Sequence, residues 1–132
     1  MSINPSSLGS TVNNYLGRSQ SGSDPYMDGS LDEFRIYNVA LAPVEIAASA
    51  ALGPGQLLST NSPAMKLALT GTNLVITWPL ANAGFMLQAR TNLVSGDWTE
   101  VPSPAPQIVA GQWQVTMTPP ANVGSLYYRL AK

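Results

Sequence analysis

Alternation of apolar and polar residues is the main pattern of the stretch Leu31–Tyr37. On an extended backbone, Phe34 and Ile36 fall on one side and the charged Glu33 and Arg35 fall on the other. This period of two predicts a half-buried β-strand over the stretch.

A helical spacing of apolar residues follows this predicted strand. Pro43 suits the first turn of a helix, where its missing N–H costs nothing. Gly53 and Pro54 are typical of the residues that end a helix. The apolar side is formed by Val44, Ile46, Ala47, Ala50 and Ala51. The pattern therefore predicts a short helix over about residues 43–52.

Short alternating runs separated by turn residues fill the second half of the chain. We expect strands at 65–70, 74–78, 85–91, 97–101, 107–109, 112–117 and 126–130, and one more at 12–18 before the helix. Gly71–Asn73 and Ala110–Gly111 are hairpin signals. Seven short strands within about 70 residues are typical of a small β-sandwich.

Composition agrees with an all-β fold and narrows the function. Hydrophobic residues make up 45% of the 132-residue chain and charged residues only 10%, with eleven glycines and eleven prolines. The net charge is −1 and the six basic residues form no patch, so we expect neither nucleic acid nor a membrane as a partner.

The absence of cysteine and histidine excludes several classes of chemistry. Disulfides, thiolate metal sites and cysteine nucleophiles are impossible, and the usual general base of serine hydrolases is missing. Residues 1–5 have neither a basic start nor an apolar run. If the protein is secreted, we expect its signal to lie upstream of this sequence.

Three stretches of the first half resemble the C-terminal end of a laminin-G-like (concanavalin A-like) jelly roll. They are Asn14–Ser19, Met27–Asn38 and Ala40–Ile46, which include Gly29-Ser-Leu-Asp-Glu-Phe-Arg-Ile-Tyr-Asn38. Ala42 departs from the Ser or Thr helix cap usual in this family, at a cost of about 1 kcal/mol. Only residues 11–52 or so match, and we expect the upstream strands of the jelly roll to be missing.

Residues 65–130 are similar to the fibronectin-III-like module of secreted bacterial proteins. The similarity rests on Leu74–Trp78, Gly84–Leu93, Trp98–Val101 and Tyr127–Leu130. The fold expected from both resemblances is a β-sandwich of the fibronectin-III or immunoglobulin type, preceded by a partial jelly-roll segment with one short helix. The corresponding domains are residues 1–54 and 65–132, joined by a linker at 55–64.

Four of the seven carboxylates lie within ten residues, at Asp24, Asp28, Asp32 and Glu33. Hard oxygen ligands of this kind suit Ca²⁺, and we expect Asp24, Asp28 and Asp32 as its ligands if the metal is bound. In the alternative interpretation, Asp32 caps backbone N–H groups of the loop and Glu33 pairs with Arg35. The sequence implies no other cofactor.

The same cluster is the place where a glycosidase could have its two carboxylates. Asp32 and Glu33 are neighbours on a predicted strand and point to opposite faces, so they cannot act as a pair. Asp28 and Asp32 could act together if the turn at Gly29 folds back. This is the enzymatic alternative for the chain, and a non-catalytic function is the main expectation.

Aromatic residues are the candidates for ligand binding. Exposed aromatic rings stack on sugar faces, and we expect Trp113, Tyr26 and Tyr15 to line such a site. In a sandwich of this size, large aromatic residues more often form the core, which is the alternative for Trp78, Trp98 and Trp113.

The sequence thus predicts an extracellular, non-catalytic accessory module that binds a polysaccharide or glycan, or acts as a spacer. The alternatives are a small glycoside hydrolase and a purely structural stalk. A jelly roll reduced to its last strands would leave Phe34 and Ile36 without an opposing sheet. We therefore also expect a homo-oligomer that forms through unpaired strand edges.

Overall fold

A computed structural model describes residues 9–10, 12–121 and 124–132. The described chain contains one helix and seven strands. They are α1 (Pro43–Leu52), β1 (Lys66–Thr70), β2 (Asn73–Pro79), β3 (Met86–Arg90), β4 (Thr99–Glu100), β5 (Gln107–Val109), β6 (Gln112–Met117) and β7 (Tyr127–Ala131). The positions of all seven strands after residue 64 agree with the sequence prediction to within two residues at each end.

The strands form two antiparallel sheets. Four strands make the first sheet, in the order β1-β2-β6-β5, and three make the second, in the order β4-β3-β7. The prediction of an all-β sandwich with one short helix is confirmed.

Two tight turns join neighbouring strands of the larger sheet. Thr70 pairs with Asn73 across the β1–β2 hairpin, and Gly71 in its loop has a φ of 61°. In the β5–β6 hairpin, Ala110 and Gly111 have φ values of 49° and 72°. Positive φ at both loop residues is the geometry that matches the twist of the flanking strands. The predicted turn at Ala110–Gly111 is therefore confirmed.

The core lies between the sheets and combines inward positions of the central strands with residues of α1 and of the segment between β2 and β3. Its fully or almost fully buried members are Ala48, Ile76, Trp78, Leu80, Ala83, Leu87, Trp113 and Val115. Trp78 and Trp113 are directly opposed on β2 and β6, so both indoles lie on the inner face of the larger sheet. Tyr128 and Leu130 of β7 pack against this cluster from the smaller sheet.

Helix α1 packs on the core through Ala48, which is fully buried. The helix begins at Pro43 and ends before Gly53, whose φ is 77°, as the sequence predicts. Ala42 offers no side-chain acceptor, but the carboxylate of Glu45 accepts a hydrogen bond of 2.9 Å from the Ala42 N–H. This is one half of a capping box.

The chain divides into two compact units, residues 1–34 and 35–132. This division differs from the predicted domains, because α1 belongs to the same unit as the sandwich instead of the N-terminal segment. The reason is physical, since Ala48 and Leu52 contribute to the sandwich core. The part of the predicted first domain that precedes Gly9 lies outside the described residues.

The two strands predicted before the helix, at 12–18 and 31–37, are not formed. Both stretches are irregular in the structure. A strand requires a pairing partner, and no described strand pairs with either stretch. Phe34 and Ile36 are consequently 58% and 83% exposed.

The ten-residue α1 is too short to cross a membrane, and the described ranges contain no longer apolar helix.

Candidate functional site

Tyr15 and Tyr26 come together around the guanidinium group of Arg18. The Arg18 Cζ atom lies 4.6 Å from the ring centroid of Tyr15 and 5.4 Å from that of Tyr26. Both rings are open to solvent, with exposures of 40% for Tyr15 and 70% for Tyr26. We call these three residues the tyrosine–arginine cluster.

A closed loop brings the two tyrosines together. The Met27 N–H donates a hydrogen bond of 2.8 Å to the Gly17 carbonyl, which joins the segment around Tyr15 to the one around Tyr26. Gly17 has a φ of 75°, which favours glycine at this turn. Inside the loop, the Ser21 N–H donates to the Ser19 Oγ, and the Asp24 N–H donates to the Ser21 carbonyl. Side-chain and backbone bonds therefore shape the serine-rich loop between Ser19 and Pro25.

The tyrosine–arginine cluster combines apolar and polar recognition in one exposed surface. Tyrosine rings present a large apolar face at low conformational cost, and guanidinium N–H groups donate to hydroxyl or carboxylate oxygens. The cation–π contacts with Arg18 restrict both rings before a ligand arrives. Sequence analysis identified the tyrosines and missed Arg18, whose proximity to both rings depends on the loop closure.

Trp113 occupies a different position from the two tyrosines. It is only 6% exposed, and its Nε1 donates a hydrogen bond of 3.2 Å to the Leu80 carbonyl. Trp113 is therefore a core residue. An exposed stacking platform at this residue is not formed, because its pairing with Trp78 turns the indole toward the inside of the sandwich.

Trp113 nevertheless forms part of the wall of a half-open groove of about 450 Å³ in the sandwich unit. Its lining is almost entirely apolar, and Glu100 is the only acidic residue among the groove residues. We call it the tryptophan groove, lined by Val44, Trp78, Gly84, Phe85, Met86, Leu87, Glu100, Val101, Pro102, Pro106 and Trp113. The buried Nε1 of Trp78 has no hydrogen-bond acceptor among the described residues. The lining suits an apolar ligand better than a sugar, which needs several polar partners.

Trp98 differs from the other two tryptophans, because it is not fully buried in the core. It is half-buried, and the guanidinium groups of Arg90 and Arg129 lie 4.8 and 4.5 Å from its ring. Arg129 also donates through Nε to Gln88 Oε1 at 2.8 Å. The Trp98 ring therefore contacts two guanidinium groups, and the buried Nε of Arg90 has no hydrogen-bond acceptor among the described residues.

The predicted metal ligands Asp24, Asp28 and Asp32 are all exposed. Within the described ranges, no group of three or more acidic side chains is placed to share a metal ion. Calcium binding at these residues stays a prediction, and it has no geometric support.

The enzymatic alternative concerns Asp28 and Asp32. A glycosidase needs one protonated carboxyl group whose pKa is raised by burial. Both carboxylates lie at the surface. Neither residue therefore lies in the buried environment that such an acid requires.

Comparison with known proteins gives one match. Residues 2–47 match the model of a laminin-G family in the concanavalin A-like lectin/glucanases superfamily. No curated protein and no solved structure matches the chain. The matched segment contains the tyrosine–arginine cluster and covers about a third of the sequence. The N-terminal segment is therefore similar to that family, as its motifs indicate.

Proposed function

We propose that this chain is a non-catalytic carbohydrate-binding accessory module, with the tyrosine–arginine cluster as its binding surface. The observation that carries the proposal is the placement of two exposed tyrosine rings around one guanidinium group. The cluster lies in the segment that matches a superfamily of lectins and glucanases, which supports the same ligand class.

Sugars fit the chemistry of this surface. A pyranose presents C–H groups on its faces, which pack against an aromatic ring, and hydroxyl groups on its rim, which accept from Arg18 N–H groups. The surface is open, so it suits a residue within a polysaccharide chain, which is accessible from the side. The weak net charge of −1 favours a neutral glycan over a strongly charged one.

The accessory role and the extracellular setting belong to the same proposal. The fibronectin-III-like resemblance of residues 65–130 implies a module that positions a neighbouring domain in a secreted protein. The two-sheet arrangement is compatible with that resemblance. In this view the N-terminal segment binds the glycan and the sandwich acts as its support and spacer.

Affinity gel electrophoresis on a panel of polysaccharides, together with a glycan array, tests the proposal. We expect the wild-type chain to be retarded by at least one polysaccharide. Tyr26→Ala and Tyr15→Ala should each weaken binding about five- to tenfold, which corresponds to about 1 kcal/mol per lost ring contact.

Tyr127→Ala is the matched control, since it removes a tyrosine of β7 far along the chain from the cluster. It should bind like the wild type. Retardation by no polysaccharide, or equal loss in the control and the cluster variants, would contradict the proposal. Glycoside hydrolysis through Asp28 and Asp32 is the other candidate function, and no observation favours it.

A further inference from the structure

The strand β1 is an edge of the larger sheet and carries two exposed leucines. β2 pairs with one side of β1, and within the described ranges no strand pairs with its other side. Leu67 pairs directly with Ile76, and Leu69 pairs directly with Leu74. Directly opposed residues share a face of a sheet, and Ile76 is fully buried, so both leucines lie on the inner face. Their exposures are nevertheless 49% and 74%.

The turn between β1 and β2 determines which backbone groups of β1 point to the outer edge. Thr70 pairs with Asn73 across a two-residue loop, and Gly71 at the first loop position has a φ of 61°. This is the arrangement of a type II′ turn, whose closing pair is hydrogen-bonded. Along an antiparallel ladder every second pair is hydrogen-bonded. The N–H and C=O groups of Leu67 and Leu69 therefore point away from β2.

The sequence of β1 suits antiparallel pairing with itself. When two copies of β1 are related by a twofold axis at Ala68, Leu67 of one copy lies opposite Leu69 of the other. Lys66 then lies opposite Thr70, so no like charges face each other. Each of the two leucine pairs exchanges two backbone hydrogen bonds, because its N–H and C=O groups point outward. An axis at either leucine would pair only residues 66–68 or 68–70.

The other edge strands of the described chain lack this property. β4 and β5 have two and three residues, whereas β1 has five. β7 also has five residues, but pairing with itself about its centre would place Arg129 opposite Arg129 of the second copy. Like charges that are directly opposed destabilise a sheet. Among these edges, β1 is therefore the one best suited to a second copy.

We propose that β1 is the docking edge for β1 of a second copy of this chain, in antiparallel register about Ala68. The pairing joins two four-stranded sheets into one continuous sheet. It places the leucines of both copies side by side on the inner face, where Leu67 and Leu69 already form part of an apolar groove of about 270 Å³ with Pro119 and Leu126. The contact is isologous, so it closes into a dimer. The inference uses only the sandwich unit and does not depend on carbohydrate binding.

The size of the contact determines the expected affinity. Five residues of each chain pair with each other, whereas a stable complex uses about 20–30 residues on each side. We therefore expect a reversible dimer that forms at high protein concentration. Ala68 is exposed on the outer face, and its small side chain lets the two strands approach at the axis.

The test begins with the mass of the full-length chain, measured by sedimentation equilibrium from micromolar to millimolar concentration. We expect the average mass to rise from 13.9 kDa toward twice that value. Ala68→Lys and Ala68→Glu should each raise the dimer dissociation constant about fivefold or more, because each places like charges opposite each other at the axis. Since Ala68 is exposed, neither change affects the core.

Thr116→Lys is the matched control for the added charge. Ala68 pairs with Val75 and Val75 pairs with Thr116, so Thr116 lies in the same row on the same outer face. It is exposed but belongs to β6, which is two strands away from the β1 edge. Thr116→Lys should dimerise like the wild type. Far-ultraviolet circular dichroism shows whether every variant keeps its fold.

Mixing the two Ala68 variants provides the decisive result. In a mixed dimer Lys from one chain faces Glu from the other, so the mixture should reach a higher average mass than either variant alone at the same total concentration. A chain that stays monomeric up to millimolar concentration, or a dimer insensitive to both Ala68 changes, would overturn the proposal. So would an equal loss in Thr116→Lys, or no recovery on mixing.

Discussion

Trp78 and Trp113 face each other across β2 and β6, yet their indole N–H groups have different surroundings. Trp113 donates to the Leu80 carbonyl, whereas the buried Nε1 of Trp78 has no acceptor among the described residues. A buried donor without a partner loses its hydration and gains nothing in return. The two residues are similar in burial, at 2% and 6% exposure, so the hydrogen bond is the main difference between them.

This difference predicts unequal effects of the same substitution. Trp113→Phe should lower the free energy of unfolding by about 1 kcal/mol more than Trp78→Phe, because only the first change removes a hydrogen bond. Both changes also remove indole volume, so this loss lowers the two free energies of unfolding by about the same amount. Urea denaturation followed by circular dichroism measures the two values. Equal losses, or a larger loss for Trp78→Phe, would contradict the assignment of the hydrogen bond.

At the scale of secondary-structure elements, the start of α1 depends on Glu45. The hydrogen bond from the Ala42 N–H lowers the pKa of this carboxyl group below its ordinary value of 4.5, and Lys132 adds to the effect through a contact of 3.5 Å. A lowered pKa in the folded state means that the group stabilises the fold when it is ionised. Its contribution is present above pH 4.5 and disappears as the pH falls through the lower folded-state pKa.

The stability of the fold should therefore depend on pH through Glu45, and Glu45→Gln should remove this dependence. Between about pH 6 and about pH 3 the melting temperature of the wild type should fall further than that of Glu45→Gln, because the variant has no proton to bind at this position. Thermal unfolding followed by circular dichroism gives both slopes. Lys132→Met should keep most of the wild-type slope, since the Ala42 hydrogen bond is the larger cause. Parallel slopes in wild type and Glu45→Gln would contradict this account.

Elements that depend on local chemistry could be predicted from the sequence. The two hairpin loops contain Gly71 and Gly111, which suit positive φ, and Pro43 and Gly53 mark the two ends of α1. The strand predicted at Leu31–Tyr37 was wrong. Alternation of apolar and polar residues shows only which side chains a strand would bury. Whether a strand forms also depends on backbone pairing with a second strand, which local sequence does not specify.

The same distinction explains the candidate site. Tyr15 and Tyr26 could be selected from the sequence as candidate aromatic residues for ligand binding. Their meeting at Arg18 depends on the hydrogen bond between Met27 and Gly17, which no local pattern specifies. The direction of the Trp113 side chain could not be assigned from the sequence, because it follows from the cross-strand register with Trp78.

At the scale of the whole molecule, the compact unit of the sandwich begins at Arg35 and includes α1. Ala48 is fully buried in the sandwich core, and Leu52 and Leu58 pack against the same cluster. Arg35 adds hydrogen bonds to Ser49 and to the Gln56 carbonyl, which tie the start of the unit to the helix and to the segment behind it.

Two truncated chains distinguish this boundary from one after the helix. A chain of residues 35–132 should unfold cooperatively with nearly the stability of the sandwich in the full protein. A chain of residues 56–132 should lose about 2–3 kcal/mol, because the core loses the helix side chains, and its melting temperature should fall by about 10 °C or more. Differential scanning calorimetry measures both. Equal stability of the two fragments would place the boundary after the helix.

The contact between Glu45 and Lys132 joins residues that are 87 positions apart. It connects α1 to the residue that follows β7. During synthesis, β7 leaves the ribosome after the six other described strands, so its pairing with β3 cannot form before then. Until β7 pairs with β3, the apolar side of α1 packs against only part of the final core. Folding of this unit should therefore be completed only after β7 has been translated, at a rate limited by long-range pairing.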